Sequence, residues 1–221
     1  MSSTYNLPSL TGGFFFDWNF MASTLDVINS CLASMGESPL NSEAEPHEYK
    51  ASAKRLLTKS NRSVQTPGWW FNTEALTIVP DPVNGQMQLS NDTIQFRSGT
   101  RTRDTLVLGQ PKPWIVQRGM RLYDTRTGSF TMTESVTGEL IREIPFDDLP
   151  PVINDLVAAL TVLKFQSDFD ADSNKRAELG QDYKDARLRA NSENIRQLSV
   201  NLLDSNYRLQ RIKRSSRRQV Y

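Results

Sequence analysis

Residues 64–81 read VQTPGWWFNTEALTIVPD, and the period of the hydrophobic pattern changes inside them. Upstream, apolar residues recur every three or four positions; downstream they alternate in short runs. Pro67 disfavours helical geometry at Thr66, and Gly68 permits a sharp turn, so a helix must stop here. Three large aromatics follow at once, Trp69, Trp70 and Phe71. Read as a strand, they split between two faces, Trp69 with Phe71 on one side and Trp70 on the other. Such a split makes a poor stacking platform for a sugar or base. Pro67, Gly68, Trp69, Trp70 and Phe71 are therefore expected to form a structural hinge, wedging a β module onto helices.

Working outward, Leu25, Ile28, Leu32 and Met35 give a first helical stripe, capped by Ser23 or Thr24 and stopped by Gly36 and Pro39. A second helix is expected from about Glu45 to Val64, with Tyr49, Ala53, Leu56, Leu57, Ser60 and Val64 on one face. After Gly68 come short runs rich in β-branched and aromatic residues: WWFNTEALTIVP, QMQLS, TIQFR, TLVLG, WIVQ, RLYD, SFTMT and ELIREI. Asn84-Gly85 and the YDTRTGSF segment supply turn chemistry between them. Helical spacing returns with Leu149, Val152, Ile153, Leu156, Leu160 and Leu163. Asp147 and Asp148 before Pro150-Pro151 read as a helix cap with proline in the first turn. A fourth helix is expected over about residues 173–203, where charge is too dense for burial all round.

The pattern predicts an α+β fold: a four-helix bundle with a small antiparallel β module between helices 2 and 3, and an extended basic C-terminal tail. The expected divisions are an N-terminal extension (1–22), helices 1–2 (23–66), the β module (67–145), helices 3–4 (146–205) and the tail (206–221). There is no internal repeat.

Composition narrows the function. Of 26 basic residues, Arg208, Arg211, Lys213, Arg214, Arg217 and Arg218 crowd the last segment; the other 20 face 25 acidic residues, leaving the rest of the chain at −5. No run approaches the ~20 apolar residues that cross a bilayer, so no membrane partner is expected. The one cysteine, Cys31, rules out an internal disulfide and thiolate clusters. The one histidine, His47, has no nucleophile context and reads as a surface helix residue; Cys31 reads as core. No Walker loop, glycine fingerprint or zinc spacing occurs, so no cofactor, metal or catalytic residue is assigned. A second basic cluster lies in the β module, Arg97, Arg101, Arg103, Lys112, Arg118, Arg121 and Arg126 against Asp104 and Asp124. It is either a solvated or subunit-contacting face, or a phosphate-binding one.

At this level the chain resembles a known family. LDVINSCLASMGESPLNS, followed by AKRLLTKSNRSVQTPGWWFNTE, resembles the start of tail tubular protein A, the head-to-tail adaptor of short-tailed bacteriophages (podoviruses). The family's R-x-x-Q-x-x-G-W-x-F-N signature is matched by Arg62, Gln65, Gly68, Trp69, Phe71 and Asn72. RGMRLYDTRTGSF and IREIPFDDLPPVINDLVAALTVLKFQSDF resemble its hairpin and third helix. The resemblance covers about residues 25–205; residues 1–20 precede the family's usual start, and MAST from Met21 would itself begin a typical member. It implies a non-enzymatic virion protein of the short tail at the portal vertex, made in the host cytoplasm. It implies a dodecameric ring of copies of itself, with the portal protein above and the nozzle, tail tubular protein B, below. Tail fibres are a further implied partner, and double-stranded DNA would pass through the lumen without sequence-specific binding. On that reading the tail arginines and Lys213 engage the portal, and Arg97, Arg101, Arg103, Arg118 and Arg121 face the nozzle, a neighbouring subunit or DNA. Two other readings stay open: a nucleic-acid-binding virion protein using the tail and β-module arginines, and, with less support, a cell-wall hydrolase built on unassigned carboxylates.

Overall fold

The computed structural model describes residues 21–99, 114–170 and 172–198. Most of the N-terminal extension, the TLVLG strand expected at 105–109, Arg101, Arg103, Lys112 and the basic tail lie outside the described residues. Among the described residues the fold is α+β, with four α-helices and two small antiparallel sheets.

Helix α1 (Thr24–Ala33) opens with a capping box: the Ser23 hydroxyl accepts from the Asp26 amide, and the Asp26 carboxylate accepts from the Ser23 amide. It ends where Gly36 takes a φ of +80°. Helix α2 (Lys50–Gln65) starts five residues later than expected. Residues 41–49 are instead a loop, tied down by Lys50 Nζ on the carbonyls of Glu43 and Glu45. His47 sits in that loop and not on a helix, its Nδ1 accepting from the Tyr49 amide at 3.3 Å.

Five strands follow: β1 (Thr73–Ile78), β2 (Thr93–Ser98), β3 (Ile115–Arg118), β4 (Arg121–Asp124) and β5 (Val136–Arg142). The last strand in sequence is the central one, giving the order β1-β5-β2. Its register runs Thr73↔Ile141 to Ile78↔Val136 on one side and Arg97↔Glu139 on the other. Gly138 is required there, because a Cβ would overlap the Phe96 ring and the Arg97 carbonyl. β3 and β4 form a separate hairpin. QMQLS and SFTMT, expected as strands, make only isolated bridges, such as Gln86↔Thr131. YDTRTGSF does turn back on itself: Asp124 accepts from the Arg126 and Thr127 amides, and Gly128 takes a φ of +68°.

Helix α3 (Pro151–Phe169) places Pro151 in its first turn, but Asp147 and Asp148 do not cap it. They form a short 3-10 turn (Phe146–Asp148), and the cap position is Pro150. The Pro150 carbonyl already accepts from both Ile153 and Asn154, so a carboxylate cap is replaced by backbone. Helix α4 (Ser173–Gln197) is capped by Asp172.

Two hydrophobic cores result. One joins α1, α2 and α3 with Trp69, Phe146 and Leu149, and reaches α4 only through Ala186 and Ala190 with half-buried Leu179 and Tyr183. The other fills the β module with Met87, Leu89, Phe96, Ile115, Leu122, Met132, Val136 and Leu140. Asn154 was not foreseen as core: wholly buried, its amide accepts from Ala22 N–H and donates to the Ala22 and Phe146 carbonyls.

Between the cores lies Gln65, also wholly buried. Its amide donates to Asn61 Oδ1 (2.7 Å) and the Ile144 carbonyl (2.9 Å), and accepts from the Ile144 amide (2.8 Å). Gln65→Leu keeps the volume but strands those partners, so unfolding free energy should fall by about 3 kcal/mol. Urea titration followed by far-UV circular dichroism measures it.

Candidate assembly surfaces

The signature residues converge on one joint. Arg62 pairs with Glu143 at 2.7 Å. Asn72 donates to the Gln65 and Arg142 carbonyls, and its Oδ1 accepts the Trp69 amide at 2.7 Å. The Asn72 amide also closes back on the Trp69 carbonyl. Residues 69–72 are therefore a turn, and the strand begins only at Thr73. This corrects the expected alternation of Trp69, Trp70 and Phe71 between two strand faces. Trp69 is buried, with its indole N–H on the Val64 carbonyl at 2.6 Å. Trp70 and Phe71 pack against the same helical core, edge to face at 5.2 Å. Gly68 takes a φ of +82°, and a Cβ there would lie 2.9 Å from Ile141 Cδ1.

Of the β-module arginines, Arg97 reaches this joint: its guanidinium donates to the Pro67 carbonyl at 3.1 Å. Across an open cleft of about 590 Å³, also lined by Arg62 and Gln95, stands the β3–β4 hairpin, whose Gln117 Oε1 accepts the Phe96 amide at 2.7 Å. Arg118 and Arg121 are direct cross-strand partners on that hairpin. Each lies over an aromatic ring, Arg118 over Tyr123 at 3.7 Å and Arg121 over Phe130 at 4.2 Å. Those two rings meet edge to face at 4.9 Å. Arg126 lies over Trp114 at 5.0 Å. Like charges placed directly opposite destabilise a hairpin, and ring faces relieve part of that cost. Tyr123 and Phe130 belong to this surface but were not singled out from sequence; the signal was their spacing from Arg121 around the Gly128 turn.

The third surface is α4. Of its residues only Ala186 and Ala190 are buried, while Leu188 (64% exposed) and Ile195 (58%) sit on the opposite side. It is tied to the joint by Asn194 Oδ1, which accepts the Trp70 amide at 3.2 Å. Asp155 on α3, half-buried, has its carboxyl pushed up by burial, with the Arg189 charge opposing the shift.

Among the described residues no group of His, Cys, Asp or Glu is arranged to hold a metal ion. No described helix is long and apolar enough to cross a membrane. A model of the tail tubular protein family matches residues 25–199, which takes in the joint, the hairpin and all four helices. The chain belongs to that family. Comparison with curated proteins gives no match. Membership makes the protein a structural component of a phage tail, resident in the virion and assembled with other tail and virion components. The chemistry of the joint is hydrogen bonding and packing.

Cys31 has no part in these surfaces. It is fully buried, and burial pushes its thiol up to about 12. Alkylation needs the thiolate, so iodoacetamide at pH 8 should leave the native protein unlabelled and react after unfolding in urea; mass spectrometry reads the difference.

Proposed function

We propose that the protein is the head-to-tail adaptor of a short-tailed phage: a dodecameric ring that joins the portal to the tail nozzle and surrounds the DNA exit channel. The observation that carries this reading is α4, a 25-residue helix that buries two alanines and leaves Leu188 and Ile195 exposed in the single chain. Such a helix gains stability by lying against a neighbouring copy, and a heterologous contact that closes on itself gives cyclic symmetry. Family membership supplies the setting, a tail built of repeated parts.

In this reading residues 23–66 and 146–205 build the ring, and 67–145 project toward the nozzle from the joint at Pro67, Gly68, Trp69, Trp70 and Phe71. The buried hydrogen bonds of Gln65 and Asn72 support a fixed angle there. The stacked Arg118 and Arg121, with Arg97, Arg101 and Arg103, face the nozzle or a neighbouring module. The basic segment with Arg208, Arg211, Lys213, Arg214, Arg217 and Arg218 docks on the portal. Tail fibres attach at the outside, and DNA passes through the lumen without being gripped. The protein performs no catalysis.

A second reading, phosphate binding by the β-module arginines, draws on the Arg118–Tyr123 and Arg121–Phe130 stacks. It requires an affinity for DNA that falls steeply with salt.

Deleting residues 208–221 should abolish attachment to portal while far-UV circular dichroism stays that of the intact chain. Electron microscopy of the protein mixed with portal reads both ring symmetry and attachment; unchanged attachment would remove the tail from the portal contact.

A further inference from the structure

Helices α2 and α4 stand on either side of α3 and run in the same direction. Tyr49, at the start of α2, meets Phe165 and Phe169 at the end of α3, so α2 and α3 are antiparallel. α4 starts four residues after the end of α3, and its far end returns to Trp70, just beyond α2. Both helices therefore start at one end of the molecule and rise together.

Their charges match in position counted from each helix start. Arg55, Lys59 and Arg62 are the sixth, tenth and thirteenth residues of α2, which contains no acid. Glu178, Asp182 and Asp185 are the sixth, tenth and thirteenth residues of α4. Spacings of four and three hold each set in one stripe. All three basic residues point away from the α2 core contacts at Ala53, Leu57 and Val64. Arg55, Lys59 and Asp182 have no partner among the described residues. The others hold partners within the chain: Arg62 on Glu143 across the joint, Glu178 on Lys175 and Asp185 on Gln181 within α4. Within one chain α3 keeps the stripes apart.

We propose that the acidic stripe of α4 pairs with the basic stripe of α2 in the next copy, and that this contact is the lateral interface of the assembly. It rests on the ring reading above and names the partner surface within it. A second copy placed beside the first with no axial shift brings Arg55 to Glu178, Lys59 to Asp182 and Arg62 to Asp185. Equal heights matter: a contact without axial rise closes into a ring, whereas one with rise makes a helix.

The test uses the full chain with Lys59→Glu and Asp182→Lys, made separately and together, and followed by sedimentation velocity. Each single variant puts like charges at the centre of the interface and should need at least about tenfold higher concentration to assemble. Mixing the two single variants should restore assembly, because in an alternating ring every interface is again complementary. The double variant should assemble like the original chain. Circular dichroism confirms that helicity is unchanged, and raised salt should weaken the original assembly. If both single variants assemble as the original does, or if the mixture and the double variant stay unassembled, the pairing is wrong while the ring reading stands. If the original chain never assembles, the ring reading falls and takes the pairing with it.

Discussion

The side-chain amide of Gln65 sets the constraint on which the rest of the molecule depends. It lies at the last turn of α2, wholly buried, and both its nitrogen and its oxygen are used by the backbone of Ile144, on the segment leading from β5 to α3. Asn61 and Asn72 complete the arrangement from either side. A buried amide is tolerable only when its groups are satisfied, so α2, β5 and the entry to α3 must hold their relative positions together. Apolar contact alone would allow the β module to slide or rock on the helices. Directional bonds at 2.7–2.9 Å do not.

This explains which parts of the fold were legible in the sequence. The capping box at Ser23 and Asp26, the stop at Gly36 and the turn at Gly128 rest on residues close in the chain, and local pattern exposes them. The turn at residues 69–72 is less legible: its closing bonds are local, but it is anchored by the Arg142 carbonyl, which accepts the Asn72 side-chain amide from the far end of the β module. Without that partner, WWFNTEALTIVP reads as one continuous strand. The central place of β5 is non-local in the same way. At α3, Asp147 and Asp148 look like caps by composition, yet Pro151 carries no amide to cap and the Pro150 carbonyl accepts those of Ile153 and Asn154. On the surfaces, charge density marked α4 and the β-module arginines, but the rings beneath Arg118 and Arg121 became visible only once the hairpin and the Gly128 turn placed them.

Stability is distributed to match. The helical core around Ile28, Leu32, Ile153, Val157 and Phe165 is closed from water, and the β module has its own apolar centre. α4 shares little of either. It is held by a small-residue stripe against α3 with half-buried Leu179 and Tyr183 beside it, and by a hydrogen bond to Trp70. Small residues at positions 186 and 190 let the two helices approach closely, and they bury little apolar area in doing so. An edge helix of this kind is the element whose free energy changes most when a neighbour is added. Its outer side is correspondingly not that of a solvated surface helix, since Leu188 and Ile195 lie two turns apart on one line.

The joint and the edge helix act on the same quantity, orientation. Every copy in a cyclic assembly has the same surroundings, so an angular error between helices and β module is repeated in each copy. In the proposed ring, a lateral contact between the α2 and α4 stripes would fix how copies stand beside one another, and Gln65 with Asn72 fixes how each β module stands on its copy. Trp70 links the two, because it packs in the helical core beside the joint while its amide is held by Asn194 near the end of α4. In the proposed ring, a shift of α4 on docking would be felt at the joint through this hydrogen bond, so the contact that brings copies together would also align their β modules.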